Sequence, residues 1–74
     1  MSGTEVHTYV FETTNGAFWA EDVARERGIP VELVPAPAEA EARCDLAMIA
    51  LADHVRSLEE ALSAEGVFFR RWSE

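Results

Sequence analysis

A chain of 74 residues has room for one hydrophobic core, because folding at this size buries only about 60% of the unfolded surface, so a single domain over residues 1–74 (core about 5–72) without a large internal cavity is expected. Hydrophobic residues make up 49% and charged residues 27%, the balance of a folded globular chain. The formal charge is -8 and all six basic residues are arginine, which meets a phosphate backbone with net repulsion and excludes nucleic acid as the expected partner, while the lack of lysine removes Schiff-base chemistry.

The opening Met1-Ser2-Gly3-Thr4-Glu5 has no basic region followed by an apolar run, and the longest apolar stretch, Leu46 to Ala52, is seven residues. Neither export nor membrane spanning is expected. One cysteine cannot form an intramolecular disulfide, so a reducing, cytoplasmic setting is the natural expectation.

Glu5 to Glu12, rich in Val, Thr, Tyr and Phe and followed by Thr13-Thr14-Asn15-Gly16, reads as a strand closed by a turn. Thr14 or Asn15 offers a cap for the helix that follows. Its small apolar stripe, Ala17, Ala20, Val23 and Ala24, recurs at helical spacing, and Gly28 stops it, giving a helix over about 17–28. Ile29 to Val34 reads as a second strand, stopped by Pro35-Ala36-Pro37. A short helical turn over Ala38 to Arg43 follows, with Pro37 at its first position. Leu46 to Leu51, short and apolar throughout, reads as a third strand that is central or buried on both faces. Asp53 offers a cap for a second helix over about 53–65, with the stripe Val55, Leu58, Ala61 and Leu62 and a stop at Gly66. Val67 to Trp72 reads as a fourth strand.

The order β-α-β-β-α-β is the ferredoxin-like split βαβ signature. Right-handed crossovers then predict an α+β fold with a four-stranded antiparallel sheet, spatial order 4-1-3-2, and both helices on one face. The other face has no element to cover it. The strands are nevertheless apolar on both sides, Tyr9 and Phe11 against Val6 and Val10, Phe68 and Trp72 against Val67 and Phe69. A homodimer through that face, or the docking of another protein on it, is the expectation.

The one residue with reactive chemistry is Cys44, at the start of the third strand. In a 4-1-3-2 sheet that strand begins beside the end of the first, near Thr13, Thr14, Asn15 and Gly16. The backbone amides and helix-terminus dipole there favour an anion and would lower a thiol pKa. Arg43 would act in the same direction and Asp45 against it. A lone cysteine is often a small hydrophobe filling a gap, but a position between two charged residues at a loop-to-strand junction argues otherwise. Metal binding would need Cys44, His7 and His54 to converge, and they share no ligand spacing; no metal or cofactor is expected. A hydrolase would need a base beside its nucleophile, and neither histidine is expected there. Glu39, Glu41, Glu59 and Glu60 read as solvated helix faces. Trp19 lies off the apolar stripe of its helix and is expected at the rim, as a lid over the cysteine end or as a contact residue.

The segment Gly28-Ile29-Pro30-Val31-Glu32-Leu33-Val34-Pro35-Ala36-Pro37, a short turn, and then Cys44-Asp45-Leu46-Ala47 resembles the putative selenium/sulfur (Se/S) carrier protein-like family of small bacterial proteins. The resemblance extends over about residues 7 to 72 and includes the aromatic or apolar first strand and Ala20-Glu21 within the first helix. The family pattern joins a Gly-Ile-Pro turn, a Pro-x-Pro segment and a Cys-Gly followed by alternating small and large apolar residues. Here Asp45 stands in place of the glycine, Ala36 in place of a hydroxyl residue, and Arg43 where a small or acidic residue is usual. Aspartate tolerates a left-handed backbone better than most residues, but its carboxylate disfavours a neighbouring thiolate.

The resemblance implies a carrier, not an enzyme with turnover, in which Cys44 holds sulfur or selenium as a persulfide-type adduct between donor and acceptor proteins. A ferredoxin-like interaction or regulatory module that dimerises through its open sheet, with Cys44 incidental, is the alternative. Thiol reactivity separates the two.

Overall fold

The computed structural model describes residues 5–38 and 45–72; Arg43, Cys44, Glu39 and Glu41, and all of the expected Ala38 to Arg43 turn except Ala38, lie outside the described residues. The elements are β1 (Val6–Val10), α1 (Thr14–Glu26), β2 (Val31–Pro35), β3 (Leu46–Leu51), α2 (Val55–Glu65) and β4 (Arg70–Trp72). All strand pairings are antiparallel and the sheet order is β2-β3-β1-β4, as the crossover argument requires.

β3 has the boundaries expected from its apolar run. It lies between β1 and β2, the central place expected, with both edges paired; Met48 and Ala50 are buried on the helix side and Ala47 on the other, while Leu51 is 38% exposed. Pro35 belongs to β2, one residue later than expected; β2 is an edge strand, where a missing amide donor costs little.

Residues opposite one another in the sheet share a face. Tyr9 faces Met48 across β1 and β3, and both are buried beneath the helices with Ala50, the α1 stripe Ala17, Ala20, Val23 and Ala24, and the α2 stripe Leu58, Ala61 and Leu62. This is the main core. Full burial of one large aliphatic side chain in it is worth about 1.5–3 kcal/mol.

Both helices stop in the same way. Gly28 and Gly66 have φ of 71° and 81°, left-handed values that a Cβ penalises. The next amide then folds back: Ile29 N donates to the Ala24 carbonyl at 2.8 Å and Val67 N to the Leu62 carbonyl at 2.9 Å. Ile29 and Val67 are thereby delivered to the core. For this reason neither starts a strand, and β2 and β4 begin later than the apolar pattern predicts.

Three further expectations are corrected. The cap of α1 is Thr13, not Thr14 or Asn15, and the helix begins at Thr14 instead of Ala17: Thr13 is extended (φ -140°, ψ 158°) and its hydroxyl accepts from Gly16 N at 3.0 Å. Asp53 does not cap α2, because Ala52–His54 form a 3-10 turn that leads into the helix without a side-chain cap. The open face is not wholly uncovered either. Val10 and Ala47 lie on it, yet they are buried, with Val34, Ala36 and Trp72 packed against them.

Candidate functional site

The candidate site was expected where β1 ends, α1 begins and β3 starts. The register brings those segments together: Val10 lies opposite Ala47, and Pro35 opposite Leu46. Asp45 directly precedes β3, is exposed, and its carbonyl accepts from Ala36 N at 2.9 Å. Thr13, Thr14 and Asn15 are exposed at the other side of this end, and Gly16 is half-buried beneath the Thr13 hydroxyl. A Cβ at Gly16 would lie 3.3 Å from that oxygen, so the absent side chain lets the cap close tightly. Cys44 and Arg43, the residues just before Asp45, are outside the described residues.

An apolar hollow of about 290 Å³ opens at the same end, lined by Thr13, Asn15, Gly16, Trp19, Val67 and Phe68 among others. Trp19 is 48% exposed and Phe68 is 83% exposed. Phe68 was expected within the fourth strand, on the side of Trp72. It instead lies ahead of β4, in the connection that follows Gly66, and borders the hollow, whereas Trp72 is on the open sheet face opposite Thr8. Trp19 is accordingly a rim residue, as its place off the helix stripe predicts.

A second constellation was missed by sequence reasoning. The Tyr9 hydroxyl, beneath α2, donates to Glu59 Oε2 at 2.8 Å, and Arg71 Nε lies 2.8 Å from the same oxygen. Arg71 Nη2 also donates to Glu59 Oε1 at 3.4 Å. Glu59 is thus no solvated glutamate; its carboxylate joins α2 to β1 and β4. Burial, followed by the hydrogen bond to Glu59 and the charge of that carboxylate, raises the Tyr9 pKa far above its ordinary value, against a smaller opposite effect of Arg71. The Tyr9 ring packs edge-on against Phe69, with centroids 5.6 Å apart. The signal available in the sequence was Tyr9 itself, because a tyrosine on a buried strand face needs a partner for its hydroxyl.

His7 lies 3.7 Å from Glu5 on β1, and His54 closes the 3-10 turn before α2. No cluster of three or more His, Cys, Asp or Glu side chains suited to a metal ion occurs among the described residues. Among these residues, too, no helix is long and apolar enough to cross a membrane.

A family model described as Putative Se/S carrier protein-like matches residues 7–72. The chain belongs to the putative Se/S carrier protein-like family. No curated protein and no solved structure matches it. The span that carries the Se/S carrier-like match runs from β1 to the last residue of β4 and includes Cys44.

Proposed function

We propose that the protein is a carrier in which Cys44 holds a sulfur or selenium atom and delivers it to a partner, acting in a reducing, cytoplasmic compartment without turnover chemistry of its own. Family membership over nearly the whole chain carries the reading, because the chain's only thiol falls within the matched span. The β1–β3 register supports it, since Asp45, one peptide bond from Cys44, precedes the strand that starts beside the end of β1.

The chemistry needs only an accessible thiolate. Cys44 attacks the terminal chalcogen of a donor persulfide or its selenium equivalent. The donor's sulfur–chalcogen bond breaks, and its thiolate leaves with the electron pair. Cys44 then carries the chalcogen and its proton, and an acceptor thiolate repeats the attack to release Cys44 as thiolate. Both transfers are isoelectronic exchanges, so no external oxidant or reductant is consumed.

Intact-mass measurement after incubation with a cysteine desulfurase and cysteine tests the reading. The expected result is a gain of one sulfur by the natural chain and none by Cys44→Ser. If neither the desulfurase nor a small-molecule polysulfide adds sulfur to Cys44, and the thiol alkylates no faster than free cysteine, the carrier reading falls. The interaction module with an incidental cysteine then replaces it.

A further inference from the structure

We propose that the sheet face away from the helices pairs with the same face of a second copy about a two-fold axis parallel to the strands, with Glu32 of each copy set toward Arg70 of the other. This inference goes beyond the carrier reading and is independent of Cys44.

Three rows of side chains cross that face. The register sets Val6 beside Leu51, Glu32, Ile49, Thr8 and Trp72 in one line, and Val34, Ala47, Val10 and Arg70 in the next. The middle is uncharged and, apart from Thr8, apolar, and Val6 and Leu51 are among the most exposed large hydrophobic side chains. A shallow hollow of about 240 Å³ beside them is lined by Val6, Ile49, Leu51 and Pro30 with Glu32 at its rim. Among the described residues of these rows, charge lies at the two margins, and it is asymmetric: Glu32 on edge strand β2 is exposed and forms no ion pair, and Arg70 on edge strand β4 is exposed.

That asymmetry selects both the occupant and the symmetry. Two copies of one sheet can pack face to face about an axis lying between them, either across the strands or along them. An axis across the strands lays β2 on β2 and β4 on β4, setting Glu32 against Glu32 and Arg70 against Arg70. An axis along the strands, passing between β1 and β3, lays β2 over β4 of the other copy. The acidic margin then meets the basic margin twice, and Val6 lies over Leu51 of the second copy. Sheets packed in this way are about 10 Å apart, a gap that a glutamate and an arginine reaching from opposite sides can close.

Charge reversal tests the symmetry and not merely the association. Sedimentation of the full chain is expected to give a dimer. Glu32→Arg alone sets two arginine pairs together and Arg70→Glu alone two acidic pairs, so each should weaken self-association by about tenfold or more. An equimolar mixture of the two single variants should restore the dimer, because in the mixed pair every reversed charge meets its opposite. The Glu32→Arg/Arg70→Glu double variant should restore it as well. Both side chains are exposed, so circular dichroism of each variant should match the natural chain. A monomer at every concentration overturns the proposal, and so does a dimer indifferent to the single reversals or not recovered in the mixture. Either result leaves sulfur loading of Cys44 to be judged separately.

Discussion

The Tyr9 hydroxyl donates to Glu59 Oε2 across 2.8 Å, joining β1 to α2 over a separation of 50 positions. Tyr9 is fully buried and Glu59 mostly so, whereas Arg71 on the far side of the carboxylate is more than half exposed. The bond therefore lies at the margin of the core, with the charge facing outward. Tyr9→Phe keeps the ring and its packing on Phe69 and leaves Glu59 with Arg71. It should cost about 0.5–1.5 kcal/mol in urea denaturation. Glu59→Leu removes the partner of a buried hydroxyl and should cost more, about 1–3 kcal/mol. The opposite order would show that the carboxylate contributes little to holding α2.

The same bond predicts alkaline behaviour. Tyr9 is the only tyrosine, so tyrosinate absorbance reports it alone. Its folded pKa is raised above the ordinary tyrosine value of about 10, chiefly by burial, and the folded chain therefore holds a proton that the unfolded chain releases once pH exceeds that value. Stability from this group is complete below about pH 10 and declines as pH rises toward the folded pKa. In the natural chain, tyrosinate should appear together with unfolding. Tyr9→Phe should show a shallower alkaline decline, and early tyrosinate formation in a folded chain would contradict the account.

Helix termini give a backbone prediction. Ala at Gly66 would meet no atom within 4 Å but would have to hold φ of 81°, so Gly66→Ala should cost about 1 kcal/mol through conformation alone. Thr13→Ala removes the acceptor of Gly16 N and should also cost about 1 kcal/mol. Denaturation midpoints should move with unchanged slope, and Thr14→Ala should not reproduce the Thr13 cap loss.

Phe68 separates stability from partner contact. With 83% of its surface exposed, Phe68→Ser should change stability by less than about 0.5 kcal/mol. If a sulfur donor seats its own apolar side chain in the hollow beside Trp19, the same variant should slow loading from a desulfurase while leaving loading by polysulfide unchanged. Equal rates from the desulfurase would place the contact elsewhere.

Asp45 is exposed and adjoins Cys44 in the chain. Asp45→Gly removes a negative charge beside the thiol and should raise its alkylation rate at neutral pH. An unchanged or lower rate would mean that the carboxylate does not act on the sulfur.

The order of elements, the central strand Leu46–Leu51 and the two glycine stops were legible in the residues, because each depends on a local property: an apolar run, a 3.6-residue stripe, a left-handed φ that glycine alone adopts cheaply. That β1 ends and β3 starts at the same end of the sheet followed from handedness and element order, which leave one arrangement of the strands. Tertiary structure decided what depends on distant partners. It made Thr13 the cap where the sequence offered Thr14 or Asn15, because Thr13 is the residue left extended with its hydroxyl on Gly16 N. It drew Ile29 and Val67 out of their strands and into the core, leaving Phe68 in solvent. It gave Glu59 the hydroxyl of Tyr9 and the guanidinium of Arg71, since a glutamate on a helix reads as solvated until the register of two strands places a buried donor beneath it.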